Sequence, residues 1–296
     1  MVKFTVMNSD LIAFLEKCAC KGVVLITATD KTTKNFFNYF YMDIIKGDED
    51  DNGSIKVKAI DSEERRMFVR HTLSNVAVEK AGRFAVTDAD MLLSVLKSVP
   101  SSREINFELI EDDTVLRIET TEGKPYYGYN IRQTTLPEDI QVALDNNSSE
   151  LDKWDSYHTI NPEGFPMITI PDAGSALYNT SLVITKPELG KIMKDSVSLT
   201  KDQDLKLSIV KMKKGWKIKF ETGKKADSIR TTAEFEKSIE NPIAFEEKII
   251  TNLHPIVNHL FNTSDLFLRV AGDESLKYWI KSEEGNIELN FCSSST

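Results

Sequence analysis

Asp48, Asp50, Asn52 and Gly53 stand at the first, third, fifth and sixth places of an EF-hand calcium loop. Such a loop needs a bidentate glutamate at its twelfth place, and there this chain has Ala59. The flanks alternate as strands do, so the run reads as an acidic hairpin turn. His254 and His259 are five apart and do not stack on one helix face as a metal-binding H-x-x-x-H pair does. A surface role suits them better. Cys18 and Cys20 point about 200° apart on a helix, and no histidine with an acid stands near either in the sequence. Cys18 therefore reads as a buried, inert thiol. The chain has no P-loop, no G-x-G-x-x-G and no G-x-S-x-G. Trp154, Trp216 and Trp279 fall in linker or strand segments, where anchoring or core packing is the plain reading. No catalytic constellation, metal site or cofactor is expected.

What remains is charge. The formal net charge is −9, yet the stretch from Lys186 to Lys225 holds twelve lysines and five acidic residues, net +7, which leaves −16 elsewhere. Its opening, "TKPELGKIMKDSVSL" (185–199), has the signature of a helix start. Thr185 and Glu188 form a capping box around Pro187. Leu189, Ile192, Met193 and Ser196 make an inner stripe, and the 100° step per residue sets Lys191 and Lys194 opposite it. Lysines opposite an apolar stripe are ordinarily a solvated face. A basic face on an acidic chain asks for a further reason.

The elements that must carry these residues follow one plan, repeated four times: a helix with a narrow apolar stripe, then short alternating strands. The first helix, "NSDLIAFLEKCACKG", sets Leu11, Leu15, Cys18 and Ala19 on one face. In the second, "TDADMLLSVLKSVPSSR", the stripe is Leu92, Val95, Leu96 and Val99, with Thr87 and Asp90 in the places of a capping box. The third is the basic helix. The fourth, "NLHPIVNHLFNTSD", turns Ile256, Val257, Leu260 and Phe261 inward. Alternating strands are expected in 104–131, 204–223 and 265–291, with turns at Asp112-Asp113, Gly123, Gly215, Asp273 and Gly285. Edge strands are expected at "DSIRTTAEFE" in one half and at "KVKAIDSE" or "RMFVRHTL" in the other. From Pro137 to Gly174 the chain is rich in Pro, Asn, Asp and Ser and reads as a surface linker with a short extended portion. The expected organisation is a domain over 1–136, a connector over 137–174 and a similar domain over 175–296.

The 296 residues suffice for two ordinary domains. Hydrophobic content of 41% and charged content of 28% are those of a soluble globular protein. No apolar run reaches the roughly 18 residues of a membrane span, and the N-terminus is too short and polar for a secretory signal. Three cysteines make no even framework, so a reducing compartment, cytoplasmic or nuclear, is expected.

In this order the segments resemble the sliding clamps of archaea and eukaryotes, the proliferating cell nuclear antigen type. "KVKAIDSEERRMFVRHTL" resembles that family's early strand–"A-[MI]-D-[SP]"–strand segment, and "RFAVTDADMLLSVLKSVPSSREINFELIEDDTVLRIE" its second helix and hairpin. "DLFLRVAGDESLKYWIKSEEGNIELNF" resembles its closing three strands, although Ser275 stands where proline is typical and "NFCSSST" replaces the "LAPK" tail. The segment 23–53 and the connector are longer than the family's equivalents.

The resemblance implies an α+β fold of two similar domains, each two helices packed on antiparallel sheets, closing into a homotrimeric ring. Twelve helices would line its channel around double-stranded DNA, held without regard to sequence, while the ring tethers a DNA polymerase. A clamp loader is implied as a further partner, and no membrane. The candidate channel positions are then Lys17, Lys21, Lys97 and Arg103 in the first half and Lys186, Lys191, Lys194 and Lys201 in the second. Partner peptides would dock in an apolar pocket at Ile60, Ile140, Val142, Leu144, Leu276 and Phe291. If the connector is a surface linker, replacing its three apolar residues there should leave folding almost unchanged. Two other readings stay open: a monomeric processivity subunit that binds DNA on one open face, and an enzyme of an unrelated α+β fold whose site is assembled from scattered residues.

Overall fold

The structure is a computed structural model describing residues 2–19, 23–26, 31–34, 38–48, 52–60, 67–110, 115–133, 136–170, 174–185, 187–188, 191, 204–211, 213, 216–222, 231–237, 245–251, 266–271, 277–282 and 287–292. In chain order these form β1 (Lys3–Met7), α1 (Asn8–Ala19), β2 (Val23–Ile26), β3 (Lys31–Lys34), β4 (Phe40–Ile45), β5 (Gly53–Ile60), β6 (Met67–Lys80) and β7 (Gly82–Val86). There follow α2 (Ala89–Ser98), β8 (Glu104–Ile110), β9 (Val115–Thr120), β10 (Gly128–Arg132), α3 (Glu138–Tyr157), β11 (His158–Ile160), β12 (Pro166–Ile170) and β13 (Gly174–Ile184). The last are β14 (Asp204–Lys211), β15 (Trp216–Thr222), β16 (Thr231–Lys237), β17 (Phe245–Thr251), β18 (Leu266–Ala271), β19 (Lys277–Ser282) and β20 (Ile287–Cys292). Two compact units result: residues 1–21 with 35–152, and residues 22–34 with 153–296.

The first unit is an antiparallel sheet in the order β10-β9-β8-β1-β6-β5-β4-β7. Alternation decides its faces, because successive side chains of a strand point to opposite sides. Phe4 and Val6 of β1, Phe40, Met42 and Ile44 of β4, Ile55 and Val57 of β5, and Ile105 and Phe107 of β8 are buried together. Phe107 stacks on Phe4 at 4.6 Å and meets Phe84 at 5.4 Å between ring centroids. Helices α1 and α2 pack on each other, and α1 rests on β5 and β6.

The expected stripe of α1 is buried in full, joined by Phe14 and Asn8. Asn8 lies wholly inside, where its Nδ2 donates to the carbonyls of Leu96 and Val99, both at 2.9 Å. The first amides of α1 are likewise satisfied, Asn8 N–H by Arg103 O and Ser9 N–H by Ser101 O. In α2 the cap sits one residue later than expected. Asp88, not Thr87, accepts from the Met91 N–H at 2.8 Å, while the Thr87 hydroxyl bonds Gln133 at 3.0 Å. With the start moved, Leu93 joins Leu92 and Leu96 inside and Val95 is only half-buried.

The second unit contains the antiparallel run β20-β19-β18-β13-β12-β11, the sheet β16-β15-β14-β17 and the hairpin β2-β3. The expected hairpins are present: Lys211 faces Trp216 across β14-β15, and β18, β19 and β20 form the closing meander. The fourth helical segment (252–265) and the turns at Asp112-Asp113, Gly215, Asp273 and Gly285 lie outside the described residues.

The connector departs from its expectation. Residues 138–157 form a helix, and 158–170 add a hairpin turned by Asn161, whose Oδ1 accepts from Glu163 N–H (3.1 Å) and Phe165 N–H (2.8 Å). Pro137 precedes the first helical residue, and Glu138 and Asp139 complement the positive end of the helix dipole. Ile140, Leu144 and Ser148, at i, i+4 and i+8, supply the inward face; Leu144 and Ser148 are buried. The poor helix formers Asn146, Asn147, Ser148 and Ser149 hid that spacing, because tertiary packing outweighs propensity.

The edge strands also differ. β5 is paired on both sides, by β4 and β6, so 56–60 is not an edge, while residues 68–73 of β6 pair with β5 and only its residues 77–80 pair with β1. Among the described residues the first unit's edges are β7 and β10, while β16 is an edge of its own sheet as expected.

Candidate nucleic-acid interface

α1 and α2 lie side by side and present polar faces away from the sheet: Ser9, Asp10, Ala13, Asp90, Ser94, Lys97 and Ser98 are exposed, and Glu16 and Lys17 half-buried. Lys97 crosses from α2 to α1 and pairs with Glu16 at 2.5 Å. Arg103 follows α2 and donates through Nη1 to Glu122 O (3.1 Å) and through Nη2 to Lys124 O (3.2 Å). Gly123 between those carbonyls has φ +94°, and a Cβ there would lie 1.6 Å from Arg103 Nη1. The positive φ favours glycine there, whereas the guanidinium is the far end of a flexible side chain and could move aside. In the second unit Thr185 N–H donates to Glu188 Oε2 at 2.8 Å, the return half of the expected capping box. Lys191 is helical and exposed. Lys21, Lys186, Lys194 and Lys201 lie outside the described residues.

The connector positions sit on α3. Tyr41 and Lys58 are cross-strand neighbours on β4 and β5 and alternate with the buried residues facing α1, so they belong to the sheet's other face. There the Tyr41 hydroxyl donates to Asp145 Oδ1 at 2.5 Å and accepts from Gln141 Nε2 at 2.5 Å. Lys58 pairs with Asp152. Burial and the adjacent Asp145 carboxylate push the Tyr41 phenol up to about 12. Of the candidate partner residues, Leu144 is buried, Ile140 half-buried and Val142 52% exposed. Ile60 closes β5 and Phe291 faces Tyr278 across β19-β20. Leu276 lies outside the described residues.

This placement corrects the expectation that the connector contributes little to folding. Leu144→Ser should lower stability by about 2–4 kcal/mol, since a buried aliphatic side chain is removed. Val142→Ser should leave the melting temperature unchanged, so differential scanning calorimetry of the two variants separates anchor from exposed surface.

One pairing escaped the sequence. Cys18 Sγ lies 3.7 Å from His71 Nδ1, and His71 packs on Phe14 with centroids 4.6 Å apart. Burial first, then the charge of Lys17, lowers the His71 pKa to about 3, against a smaller opposing hydrogen bond to the Phe14 backbone. A neutral imidazole in this setting does not generate a thiolate; the pair ties α1 to β6. A signal existed only in the alternation of β6, which puts His71 in line with Val69 on the inner face.

Asp48 is exposed at the β4–β5 turn, and Asp50 lies outside the described residues. A cleft of about 600 Å³ opens beside that turn, lined by Thr5, Lys46, Asp48, Asn52, Val76 and Glu79 among others. Lys3, 2.6 Å away, holds the Glu79 carboxyl below its ordinary range, opposite to what a general acid needs. Among the described residues no three His, Cys, Asp or Glu side chains converge as a metal site requires.

No protein-family model and no curated protein matches the sequence. Solved structures do. The proliferating cell nuclear antigen of Entamoeba histolytica superposes with a TM-score of 0.62 at 11% identity, covering 99% of both chains. The DNA polymerase III β subunit of Borrelia burgdorferi gives 0.60 at 14% identity, over 98% of this chain and 64% of that one. The β sliding clamp of C. crescentus gives 0.58 at 11%, over 100% and 65%. The chain thus spans about two-thirds of the length of these bacterial chains and the whole of the Entamoeba one. An α+β chain of antiparallel sheets with few helices, matched end to end by clamps of two kinds, has the sliding-clamp fold.

Proposed function

We propose that the chain is a DNA sliding clamp: a non-enzymatic processivity factor that closes into a ring of three copies around duplex DNA and tethers a polymerase and other DNA-acting partners. The observation that carries this reading is the match over 99% of both chains to the Entamoeba clamp. Holding lysines are proposed among Lys186, Lys191, Lys194 and Lys201. They meet phosphates, whose charge is the same at every base pair, so the grip is independent of sequence and lets the duplex slide. A closed ring has no entry for a circular duplex, hence the need for a loader. Among the described residues no helix is long and apolar enough to cross a membrane, and replication in a reducing compartment fits the cysteine usage.

The edges suggest how the ring closes. β10 and β16 are different surfaces, so pairing one with the other between copies is head-to-tail, and such contacts close into rings when the rotation allows. The test is retention. Loaded on nicked circular DNA, the protein should stay bound at a salt concentration that strips open-face binders, and cutting the circle should release it. Equal retention on circular and linear DNA, with a single-chain mass by light scattering, would select the open-face monomer instead.

A further inference from the structure

Helix α3 is attached to the first unit by different means along its length. Its inward stripe runs Ile140, Leu144, Ser148 and then, at the next step of four, Asp152. The early part is held by burial, with Leu144 inside and Ile140 half-buried, and by the Tyr41 hydroxyl, which bonds Gln141 and Asp145. Ser148 is buried but offers no aliphatic side chain. At Asp152 the stripe ends in a charge. That carboxylate, its side chain 51% exposed, pairs with Lys58 on the sheet's outer face. Arg83 on the same face is already taken by Asp43 at 2.5 and 3.1 Å and lies 5.2 Å over the Tyr41 ring. Lys58 is therefore the cation that holds Asp152, with Arg83 adding a weaker field.

The later part of α3 has little helical stability of its own. Asn146, Asn147, Ser148 and Ser149 are poor helix formers. The helix carries six acids and one lysine, and its last turn has no basic residue to complement the negative end of the dipole. What keeps this part wound must come from outside it, and on the first unit's side that is the Lys58–Asp152 pair. The pair also stands at a boundary: the first unit ends at Asp152 and the second resumes at Lys153. An ion pair this exposed is screened by salt, whereas the burial of Leu144 is not.

We infer that α3 is a charge-latched strap: the Lys58–Asp152 pair fixes the residue at which the chain leaves the first unit, and ionic strength moves that point. With the latch closed the first unit holds the chain as far as Asp152. With it open the hold ends at Ser148, and the turn 149–152 passes to the tether between the units. Four residues span about 6 Å as helix and up to about 13 Å extended, so the tether roughly doubles over that turn. The device stands on the first unit and its outgoing chain and holds whether or not the clamp reading does.

Amide hydrogen exchange of the full chain tests this, read at about 0.01 M and about 1 M salt, between which the screening length falls from about 30 Å to about 3 Å. In the wild type, amides from Ser149 to Tyr157 should exchange roughly two- to fivefold faster at high salt, the range an exposed ion pair supplies. Those from Gln141 to Asp145 should not change. Lys58→Gln and Asp152→Asn should each give the fast exchange already at low salt and lose the salt response. The double variant should be no faster than either single one, because both remove one interaction. Lys56→Gln, on the same face of β5 opposite Asp43, should behave as wild type. Exchange in 149–157 that ignores salt, or that Lys58→Gln and Asp152→Asn leave slow, would overturn the latch. So would equal acceleration along the whole of α3, which would make the helix one unit held by Leu144.

Discussion

Proline at Thr232 and proline at Ala233 should produce two different defects, although the positions are adjacent. β16 is an edge strand, paired only with β15 among the described residues, where Thr232 faces Glu221 and Ala233 faces Phe220. Successive N–H groups along a strand point to opposite sides, so one of the two positions donates to β15 and the other points away. Proline lacks that donor and is tolerated only where the N–H faces outward. At the inward position it should break the β15–β16 ladder and destabilise the second unit. At the outward position the fold should survive and the seam with the next copy should fail. In the proposed ring three seams all carry the substitution, so the expected change is complete: three chains to one in light scattering at micromolar concentration. Retention on circular DNA should disappear with it. If both prolines leave a trimer, β16 is not the seam. If the wild type is already a monomer, there is no ring.

Acid should unfold the first unit through His71. Its imidazole titrates at about 3 in the fold against 6.5 ordinarily, chiefly because burial beside Phe14 disfavours the cation. Between those values the unfolded chain binds a proton that the folded one refuses, so stability falls with falling pH. The stabilisation is complete above about pH 6.5, and about 1.4 kcal/mol is lost per unit below it. By pH 4.5 the loss should be about 2.5 kcal/mol, a large share of the 5–15 kcal/mol by which domains are ordinarily stable. Denaturant titrations at pH 7.5, 6.5, 5.5 and 4.5 should show this slope, and His71→Gln should flatten it while lowering stability at neutral pH. The window ends at 4.5 because Glu79, whose carboxyl is held low by Lys3, begins to contribute there. A slope as steep in His71→Gln as in wild type would assign the acid sensitivity elsewhere.

Local order was written plainly in the chain. The alternation of "KFTVM" and "EINFELI" determined which side of the sheet Phe4, Val6, Ile105 and Phe107 would enter. The stripe of α1, the Thr185–Glu188 cap and the concentration of lysines between 186 and 225 needed only neighbours within a turn or two. Their causes are local: side-chain period, amides left over at a helix start, and charge count. The order of such segments sufficed for the clamp fold. Propensity misled where packing overruled it, in α3, whose Asn and Ser residues argued for a linker while Ile140, Leu144 and Ser148 already kept helical spacing.

Everything that decides which charges are available was left to the tertiary structure. Cys18 meets His71 across 53 residues, Tyr41 meets Asp145 across 104 and Lys58 meets Asp152 across 94. Lys97 finds Glu16 only because α1 and α2 lie side by side. β5 looks as much like an edge as β10 does in one dimension; pairing alone makes the first an interior strand and the second a boundary. A sequence records the sign of each charge and the period of each element. Whether a lysine is spent inside the fold or left to solvent depends on which distant segment folds beside it.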